Sequence, residues 1–410
     1  MTAKGQTDSQ PVAGLLALAM TGFIAILTET MPAGLLPQIG AGLHVSPALA
    51  GQMVSLYAVG SLVAAIPVTA ALQGWRRRPR LLLAVLGFLI FNTITALSSS
   101  YPLTLVSRFL AGVAAGLGWG IIPGYARLMA SGENKGRSMA IAMVGTPLAL
   151  ALGVPAGTFV GKLVTWRTTF LIMSCLALVL IFWILLKVPN YSGRTEEKEL
   201  SVGQVILTPG VRPILAVIFF WMVAHNILYT YASQFVAQAN LGSHIDVVLL
   251  VFGMTSLAGI WIIGLLVDRW LRPLVLLSIG GFMMASLCVG IAGRIPIVVY
   301  ASVTLWGLTF GGAATLLQTA LADAAGDGVD LAQALNTTTW NLAIAGGGMI
   351  GGALIATAGV DSFAWVSLAL LTIALLLAWK AKANGFPVSA SNNTAMTIER
   401  TKDERAIIPD

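Results

Sequence analysis

The chain has 410 residues, of which 57% are hydrophobic and 10% are charged, and its formal net charge is +7. Soluble globular chains carry about 25% charged residues, so this composition excludes a disordered chain, a coiled coil, a collagen-like chain and a cytosolic enzyme. It favours a polytopic membrane protein. The two cysteines, Cys175 and Cys288, lie in apolar runs and build neither a disulfide framework nor a cysteine metal site.

Apolar stretches of about 20 residues, the length that crosses a bilayer, recur along nearly the whole chain. Span 1 is expected to remain in the protein, because it is too long for a signal peptide and has only Lys4 before it. Twelve spans are predicted, numbered in chain order: 12–36, 47–72, 81–98, 103–129, 139–160, 167–187, 213–238, 247–266, 273–292, 296–321, 332–357 and 362–380.

The basic residues orient these spans. With the N-terminus in the cytoplasm, all 23 Lys and Arg except Arg108, Lys162, Arg167 and Arg294 fall on the cytoplasmic side or at its interface. Cytoplasmic loops of membrane proteins carry such an excess of basic residues. We therefore expect a multi-pass protein of the cell (inner) membrane with both termini in the cytoplasm. The positive charge then marks orientation in the lipid bilayer, and no nucleic-acid partner is expected.

Glu29 in span 1 is the one acidic residue deep in an apolar run, and Arg108 in span 4 is its basic counterpart. At 1.5 Å per residue, both lie roughly 22–24 Å above the cytoplasmic edge. One interpretation is a salt bridge that only docks span 1 on span 4. The other is a carboxylate whose proton affinity depends on whether Arg108 or water faces it, since intramembrane charges are usually functional.

Spans 4 and 5 each carry a GxxxGxxxG stripe, which places small residues on one helix face. The stripes permit close static packing or, alternatively, relative motion of the helices. Trp119 lies eleven residues after Arg108 and shares its face. The stripes comprise Gly112, Gly116 and Gly120, and Gly153, Gly157 and Gly161.

A polar segment, 188–212, divides the spans into two sets of six, and the turn GWRRRPRLLL after span 2 resembles VDRWLRPLVLL after span 8. The chain is therefore predicted to be an all-α membrane protein of twelve transmembrane helices in two six-helix parallel pseudo-repeats. The expected parts are a cytoplasmic N-terminus (1–11), an N-terminal half (12–187), a cytoplasmic linker (188–212), a C-terminal half (213–380) and a disordered cytoplasmic tail (381–410).

The C-terminal half contributes its own polar and aromatic groups. His225 and Tyr229 share one face of span 7, and His225 is either a hydrogen-bonded buried histidine or a group that handles protons. The amides are either contacts between helices or part of a cavity for an amphipathic small molecule. The predicted cavity residues are Trp119, Asn226, Tyr229, Gln318, Trp340 and Asn341.

Catalytic and metal motifs are missing from the sequence: it has no HExxH, GxSxG, CxxC or GxxxxGK[ST] pattern, and its three histidines are scattered. We therefore expect no catalytic residue, no metal and no cofactor. An enzyme is not expected.

Three motifs resemble the major facilitator superfamily over roughly residues 12–380. Gly264, Asp268, Arg269 and Arg272 are similar to its cytoplasmic G-x-x-x-D-R-x-x-R signature, which is degraded in the first half although Arg76–Arg78 remain. SRFLAGVAAG in span 4 resembles the motif whose arginine, here Arg108, the family links to proton coupling. Gly153, Pro155 and Gly157 resemble the antiporter motif of span 5.

Two further runs, TETMPAGLLP from Thr28 and WRTTF from Trp166, are similar to exporters of sugars, arabinose-related compounds, nucleosides and chloramphenicol within the drug:proton antiporter group. The resemblance implies the major facilitator fold, with spans 1, 4, 7 and 10 lining a central cavity.

The expected function is proton-coupled efflux of a small organic molecule (a drug, sugar or nucleoside) by a monomer, as in multidrug resistance or sugar efflux. Glu29, Arg108 and His225 are expected to couple protons. The alternatives are a proton symporter or facilitator that imports a sugar or nucleoside and, more remotely, a polytopic membrane enzyme or lipid-handling protein.

Overall fold

The structure is a computed structural model that describes residues 12–65, 67–72, 74–129, 135–192 and 201–386. Within these ranges the chain forms helices joined by short turns, and no strand occurs there. Helices suit a lipid bilayer, because each backbone N–H and C=O finds its partner within the helix. The predicted N-terminus 1–11, the centre of the linker (193–200) and most of the tail (387–410) lie outside the described residues.

The first part of the chain contains nine α-helices, with a π-helix, Ala149–Gly153, between α7 and α8. They are α1 (Val12–Leu43), α2 (Pro47–Ala65), α3 (Pro67–Ala71), α4 (Arg77–Leu97), α5 (Tyr101–Met129), α6 (Lys135–Met143), α7 (Gly145–Leu148), α8 (Val154–Leu163) and α9 (Trp166–Lys187).

The second part contains eight α-helices and two short 3₁₀ turns, Gly242–His244 and Gly326–Gly328. The helices are α10 (Val202–Leu207), α11 (Val211–Thr230), α12 (Ala232–Ala237), α13 (Ile245–Ala292), α14 (Pro296–Gly311), α15 (Ala313–Ala325), α16 (Val329–Thr357) and α17 (Ser362–Lys380).

Eleven helical segments of the described chain are long and apolar enough to cross a membrane. The sequence predicts twelve spans, and the difference lies in α13, which contains both span 8 and span 9. With 48 residues, α13 is too long for one crossing of about 20 residues, and its backbone leaves helical geometry at Trp270 (φ −127°, ψ 26°), where two helical segments meet at a kink. Pro273 follows three residues later and cannot donate to the preceding turn.

The helix ends gather on two sides of the molecule. On the basic side, which carries the arginine cluster Arg76–Arg80, the Tyr125 hydroxyl donates to the Pro189 carbonyl at 2.6 Å. On the opposite side, Arg167 donates to the Ser98 carbonyl at 2.9 Å. The basic side and the opposite side are thus the two ends of the helix bundle.

Glycines set the distance between α2 and α5. A Cβ at Gly112 would overlap the Tyr57 carbonyl, and a Cβ at Gly60 would overlap the Phe109 carbonyl. The two helices therefore touch backbone to backbone, which is the close approach that small-residue stripes allow in membranes. This contact matters for the site, because α2 and α5 supply the groups described below.

The second glycine stripe receives side chains of α1. Built at Gly153, Gly157 and Gly161, a Cβ would overlap Leu27, Met31 and Leu35 respectively. These three α1 residues are spaced four apart, as are the glycines. The ridge that they form on α1 therefore packs into the groove that the glycines leave on the facing helix. The π-helix directly before α8 precedes Pro155, which has no N–H for the α-helical bond to the previous turn.

We predict that Gly112→Ala destabilises the protein by about 1–3 kcal/mol, the usual cost of overpacking, because the added methyl group meets backbone that cannot rotate away. The measurement is the thermal unfolding midpoint in detergent. Gly280→Ala is the matched control, since its Cβ would meet nothing within 4 Å. Equal midpoints for the two variants would contradict the close α2–α5 contact.

Candidate functional site

Arg108 is the centre of a buried polar node in the first half. Its side chain is 0% exposed and reaches from α5 to two neighbouring helices. Nε donates to the Met53 carbonyl of α2 at 3.2 Å, and Nη2 donates to the Thr28 carbonyl of α1 and, at 3.4 Å, to the Glu29 carbonyl. The guanidinium therefore joins three helices through backbone oxygens.

The Thr28 carbonyl is available because of Pro32. In an α-helix the N–H of residue 32 would donate to the carbonyl of residue 28, but proline has no N–H. Pro32 lies inside α1, so this oxygen lacks its helical donor and takes Arg108 instead. The sequence run TETMP thus builds an acceptor for a buried cation.

Aromatic and amide groups also contribute to this node, in which Arg108 Nη1 has no hydrogen bond within the described part of the chain. The Arg108 guanidinium carbon lies 4.9 Å from the centre of the Tyr57 ring and 5.7 Å from that of Phe170, distances at which a cation is attracted to a ring face. Tyr57 donates its hydroxyl to the Ala25 carbonyl at 2.9 Å. Asn92 of α4 donates to the Thr28 hydroxyl at 2.9 Å, so that, with Phe170 on α9, five helices meet at this level.

Glu29 is buried next to this node, 7% exposed, but its carboxylate forms no ion pair or hydrogen bond with any residue that the structure describes. Arg108 contacts the backbone of Glu29 and not its side chain. The carboxylate still interacts electrostatically with Arg108 and Tyr57 and, across the molecule, with Tyr229 of α11. The Glu29 carboxylate therefore lies within electrostatic range of groups in both parts of the chain.

His225 lies in a cluster of aromatic rings in the second half. Its imidazole stacks on Phe310 with a centroid distance of 3.6 Å and an interplanar angle of 1°, and on Tyr229 at 5.2 Å and 23°. Phe252 and Trp306 lie at 5.9 and 5.3 Å. We call these five residues from α11, α13 and α14 the His225 cluster.

The hydrogen-bonding atoms of this cluster are buried without partners. His225 Nδ1, the Tyr229 hydroxyl and Trp306 Nε1 have no hydrogen bond within the described part of the chain. Each such group costs about 1–3 kcal/mol. A cavity behind Trp306, lined by Phe282, Ser286 and Ser302 among others, contains two further hydroxyls of this kind, since both serines are unpartnered there.

The other predicted cavity residues have mixed surroundings. Asn226 and Asn341 are buried and donate within their own helices, to Met222 at 2.8 Å and Thr337 at 2.9 Å, which is the arrangement of structural amides. Trp119 packs beside α1, since a Cβ built on Gly22 would lie 3.5 Å from its ring. Trp340 packs where α2 meets α16, and Gln318 on α15 is exposed.

The motif after span 8 is largely exposed. Gly264, Asp268 and Arg269 lie on the surface, whereas Arg272 donates to three carbonyls at the end of α17 and beyond it: Ala378 at 3.1 Å, Trp379 at 2.9 Å and Phe386 at 3.2 Å. Arg272 therefore binds the end of the last helix to α13.

Contacts that the sequence does not reveal join the two halves near the opposite side. Lys162 at the end of α8 forms an ion pair with Asp246 at the start of α13. Tyr231 donates its hydroxyl to the Gly348 carbonyl of α16 at 2.8 Å and lies 3.3 Å from the Ala48 carbonyl of α2. Charges and hydroxyls at helix ends are common, so spacing alone does not single these residues out.

We predict that Arg108→Lys lowers stability by about 1.5–3 kcal/mol, the contribution of one hydrogen bond to a charged group. A single ammonium cannot reproduce the planar fork that reaches α1 and α2 together or its stacking on rings. The thermal midpoint in detergent measures the loss, and Arg294→Lys, on the surface with a side chain 78% exposed, is the control. An unchanged midpoint for Arg108→Lys would rule out the bridging role.

Comparison with known proteins places these features in a family. A family model described as Major Facilitator Superfamily matches residues 18–329. The chain is 25% identical to a protein named probable sugar efflux transporter from Helicobacter pylori (strain P12), over 88% of this chain and 93% of that protein.

Two other relatives cover the chain to a similar extent. The purine ribonucleoside efflux pump NepI from Escherichia coli O6:K15:H31 is 27% identical over 86% of this chain and 89% of its own length. The chloramphenicol resistance protein of Streptomyces lividans is 30% identical over 92% of this chain and 96% of its own length. The chain, a multi-pass membrane protein, belongs to the Major Facilitator Superfamily.

Proposed function

We propose that the protein is a secondary transporter that exports a small organic molecule in exchange for protons, by alternating access. The observation that carries this proposal is the buried Glu29 carboxylate, which has no partner among the described residues although Arg108 donates to the backbone carbonyls of Thr28 and Glu29. The names of the relatives support export, since they refer to sugar efflux, purine ribonucleoside efflux and chloramphenicol resistance.

The proton-binding role follows from how the donors are distributed. Arg108 directs its Nε and Nη2 donors to backbone carbonyls, so the carboxylate is not held in a fixed ion pair. A charged carboxylate in an apolar environment is costly unless it is paired or hydrated. A proton removes that cost when the site is closed, and water removes it when the site is open. Glu29 then exchanges its proton as the conformation changes.

The chain is proposed to cross the membrane twelve times. The bend at Trp270 divides α13 into two segments, each long enough for one crossing. The halves then comprise residues 12–187 and 213–380, each with six crossings. The basic side faces the cytoplasm by the positive-inside rule, and both termini lie there.

The described conformation suits a state closed towards the outside. The Lys162–Asp246 ion pair and the Tyr231 hydrogen bonds join the halves near the opposite side, which is the outer side in this orientation. Alternating access requires these contacts to break. Proton and substrate must favour opposite conformations, because a ligand shifts only an equilibrium between states that it binds differently.

We predict that Glu29→Gln abolishes accumulation driven by a pH gradient but preserves exchange of substrate down its own gradient, because the amide cannot release a proton. Inside-out vesicles measure both with labelled chloramphenicol, inosine and arabinose. Asp361→Asn, which removes a carboxylate 67% exposed, is the matched control and keeps both activities. Full gradient-driven accumulation by Glu29→Gln would refute the coupling role.

We further predict that an oxidised disulfide in a Lys162→Cys, Asp246→Cys double variant stops transport and that reduction restores it, since the halves can no longer separate on the opposite side. Cys175 and Cys288 are replaced by serine in this background. An Arg294→Cys, Asp361→Cys pair, which joins two positions of the second half, is the control and transports in both redox states. Transport by the oxidised 162–246 pair would contradict separation at this contact.

A further inference from the structure

The start of α4 concentrates positive charge where a helix favours negative charge. Arg76 is the N-cap residue, and Arg77, Arg78 and Arg80 follow in the first turn. The free N–H groups at the start of a helix carry a partial positive charge, so cations are unfavourable there and anions are favoured. Neither a capping side chain nor an acidic residue in the first turn offsets these arginines.

Three of the arginine side chains converge on α5. Arg77, Arg78 and Arg80 all lie within electrostatic range of Tyr125, and Arg80 lies within range of Arg77 as well. A Cβ built on Gly124 would lie 2.9 Å from Arg77 Nη1, so this guanidinium packs against α5. The positive charges therefore gather in one region between the two helices, although like charges repel.

Arg80 is a second, independent indication that an anion binds here. Its side chain is 5% exposed, and its Nε has no hydrogen bond within the described part of the chain. Buried polar groups are normally satisfied, and an unpaired charged group costs more than an unpaired neutral one. The groups within its electrostatic range, Arg77 and Tyr125, provide no negative charge at neutral pH.

The described part of the chain does not supply a counter-charge. Arg76 and Arg78 donate to main-chain carbonyls at and beyond the end of α9. Neither of them, nor Arg80, forms an ion pair with a described residue. Glu29 is the one acidic residue among the described residues of α1 to α9, and it interacts with Arg108 instead. An anion from outside the chain fits this arrangement.

The apolar surroundings of the arginines indicate that the anion belongs to a lipid. Trp75, directly before Arg76, is 54% exposed, and exposed tryptophans are typical of the headgroup level of a membrane. Arg78 donates to the carbonyl of Leu185, where Leu185 and Leu186 are exposed on α9. A free phosphate would contact the guanidinium groups but would leave these apolar side chains unused.

We propose that the start of α4 is a binding site for an anionic phospholipid of the membrane leaflet on the basic side. The phosphate oxygens accept hydrogen bonds from Arg76, Arg78 and Arg80, and the acyl chains lie along α4 and the end of α9. Planar guanidinium donors match phosphate oxygens, and basic clusters at the ends of membrane helices attract anionic headgroups. This inference does not depend on the proposed transport function, because no substrate or proton takes part in it.

The test measures binding of dioleoylphosphatidylglycerol, dioleoylphosphatidylcholine and glycerol 3-phosphate to the purified protein in detergent. The two lipids share their chains and differ in net charge, whereas glycerol 3-phosphate has the phosphate without chains. Phosphatidylglycerol is expected to bind saturably and to raise the thermal midpoint, and the other two to bind about tenfold more weakly or less. Equal binding of phosphatidylcholine, which shows that charge is irrelevant, or of glycerol 3-phosphate, which shows a site for free phosphate, overturns the proposal.

Two variants locate the lipid. Arg76→Gln and Arg80→Gln are each expected to raise the Kd of phosphatidylglycerol about tenfold, the effect of one lost hydrogen bond to a charged group. Arg76 is exposed, so its variant keeps the test valid if Arg80→Gln does not fold. Arg212→Gln, at an exposed arginine at the start of α11, removes the same charge and leaves the Kd unchanged. An unchanged Kd for Arg76→Gln, or an equal rise for Arg212→Gln, overturns the assignment.

Discussion

The structure depends on how one permanent positive charge is accommodated inside a helix bundle. Arg108 is fully buried, and burying a guanidinium without compensation is far more costly than a folded protein tolerates. Compensation comes from backbone oxygens of α1 and α2 and from the faces of two rings. Because those oxygens belong to different helices, solvating the charge also fixes α1, α2 and α5 against one another. Glu29 is positioned by that arrangement, although its carboxylate takes no part in it.

The first part of the chain (α1 to α9) and the second (α10 to α17) supply different chemistry to the interior of the helix bundle. The first half contributes charge, held by dipoles, whereas the second contributes stacked rings and unpaired polar atoms around His225. Glu29 interacts electrostatically with Arg108 in the first part and with Tyr229 in the second. In the proposed mechanism, protonation removes the negative charge of Glu29 and so changes its interaction with both parts. The conformational equilibrium then depends on the proton, which is the coupling that exchange of two ligands requires.

Much of this arrangement could be predicted from the sequence, because ionisable residues in apolar runs are rare and stand out. Glu29, Arg108 and His225 were identifiable for that reason. The acceptors of Arg108 were not, since carbonyls occur at every residue; Pro32 was the only local signal that one of them was free. The sequence also does not predict that Phe252, Trp306 and Phe310 contact His225. Large aromatic residues are ordinary in apolar helices, and only the fold brings these three together with the imidazole. The kink at Trp270 shows a similar limit, because the sequence predicts two separate spans but does not show that a bend, with no loop between them, joins them.

One consequence concerns how such a site can evolve. Met53 contributes only its carbonyl to Arg108, so another apolar side chain at that position keeps the same acceptor in the same place. Pro32, by contrast, acts through the N–H that it lacks. The part of the node that holds the cation is thus encoded in backbone geometry and a single proline, which leaves the surrounding side chains free to diverge. Related chains can then differ in the side chains around this site while retaining the same buried arginine.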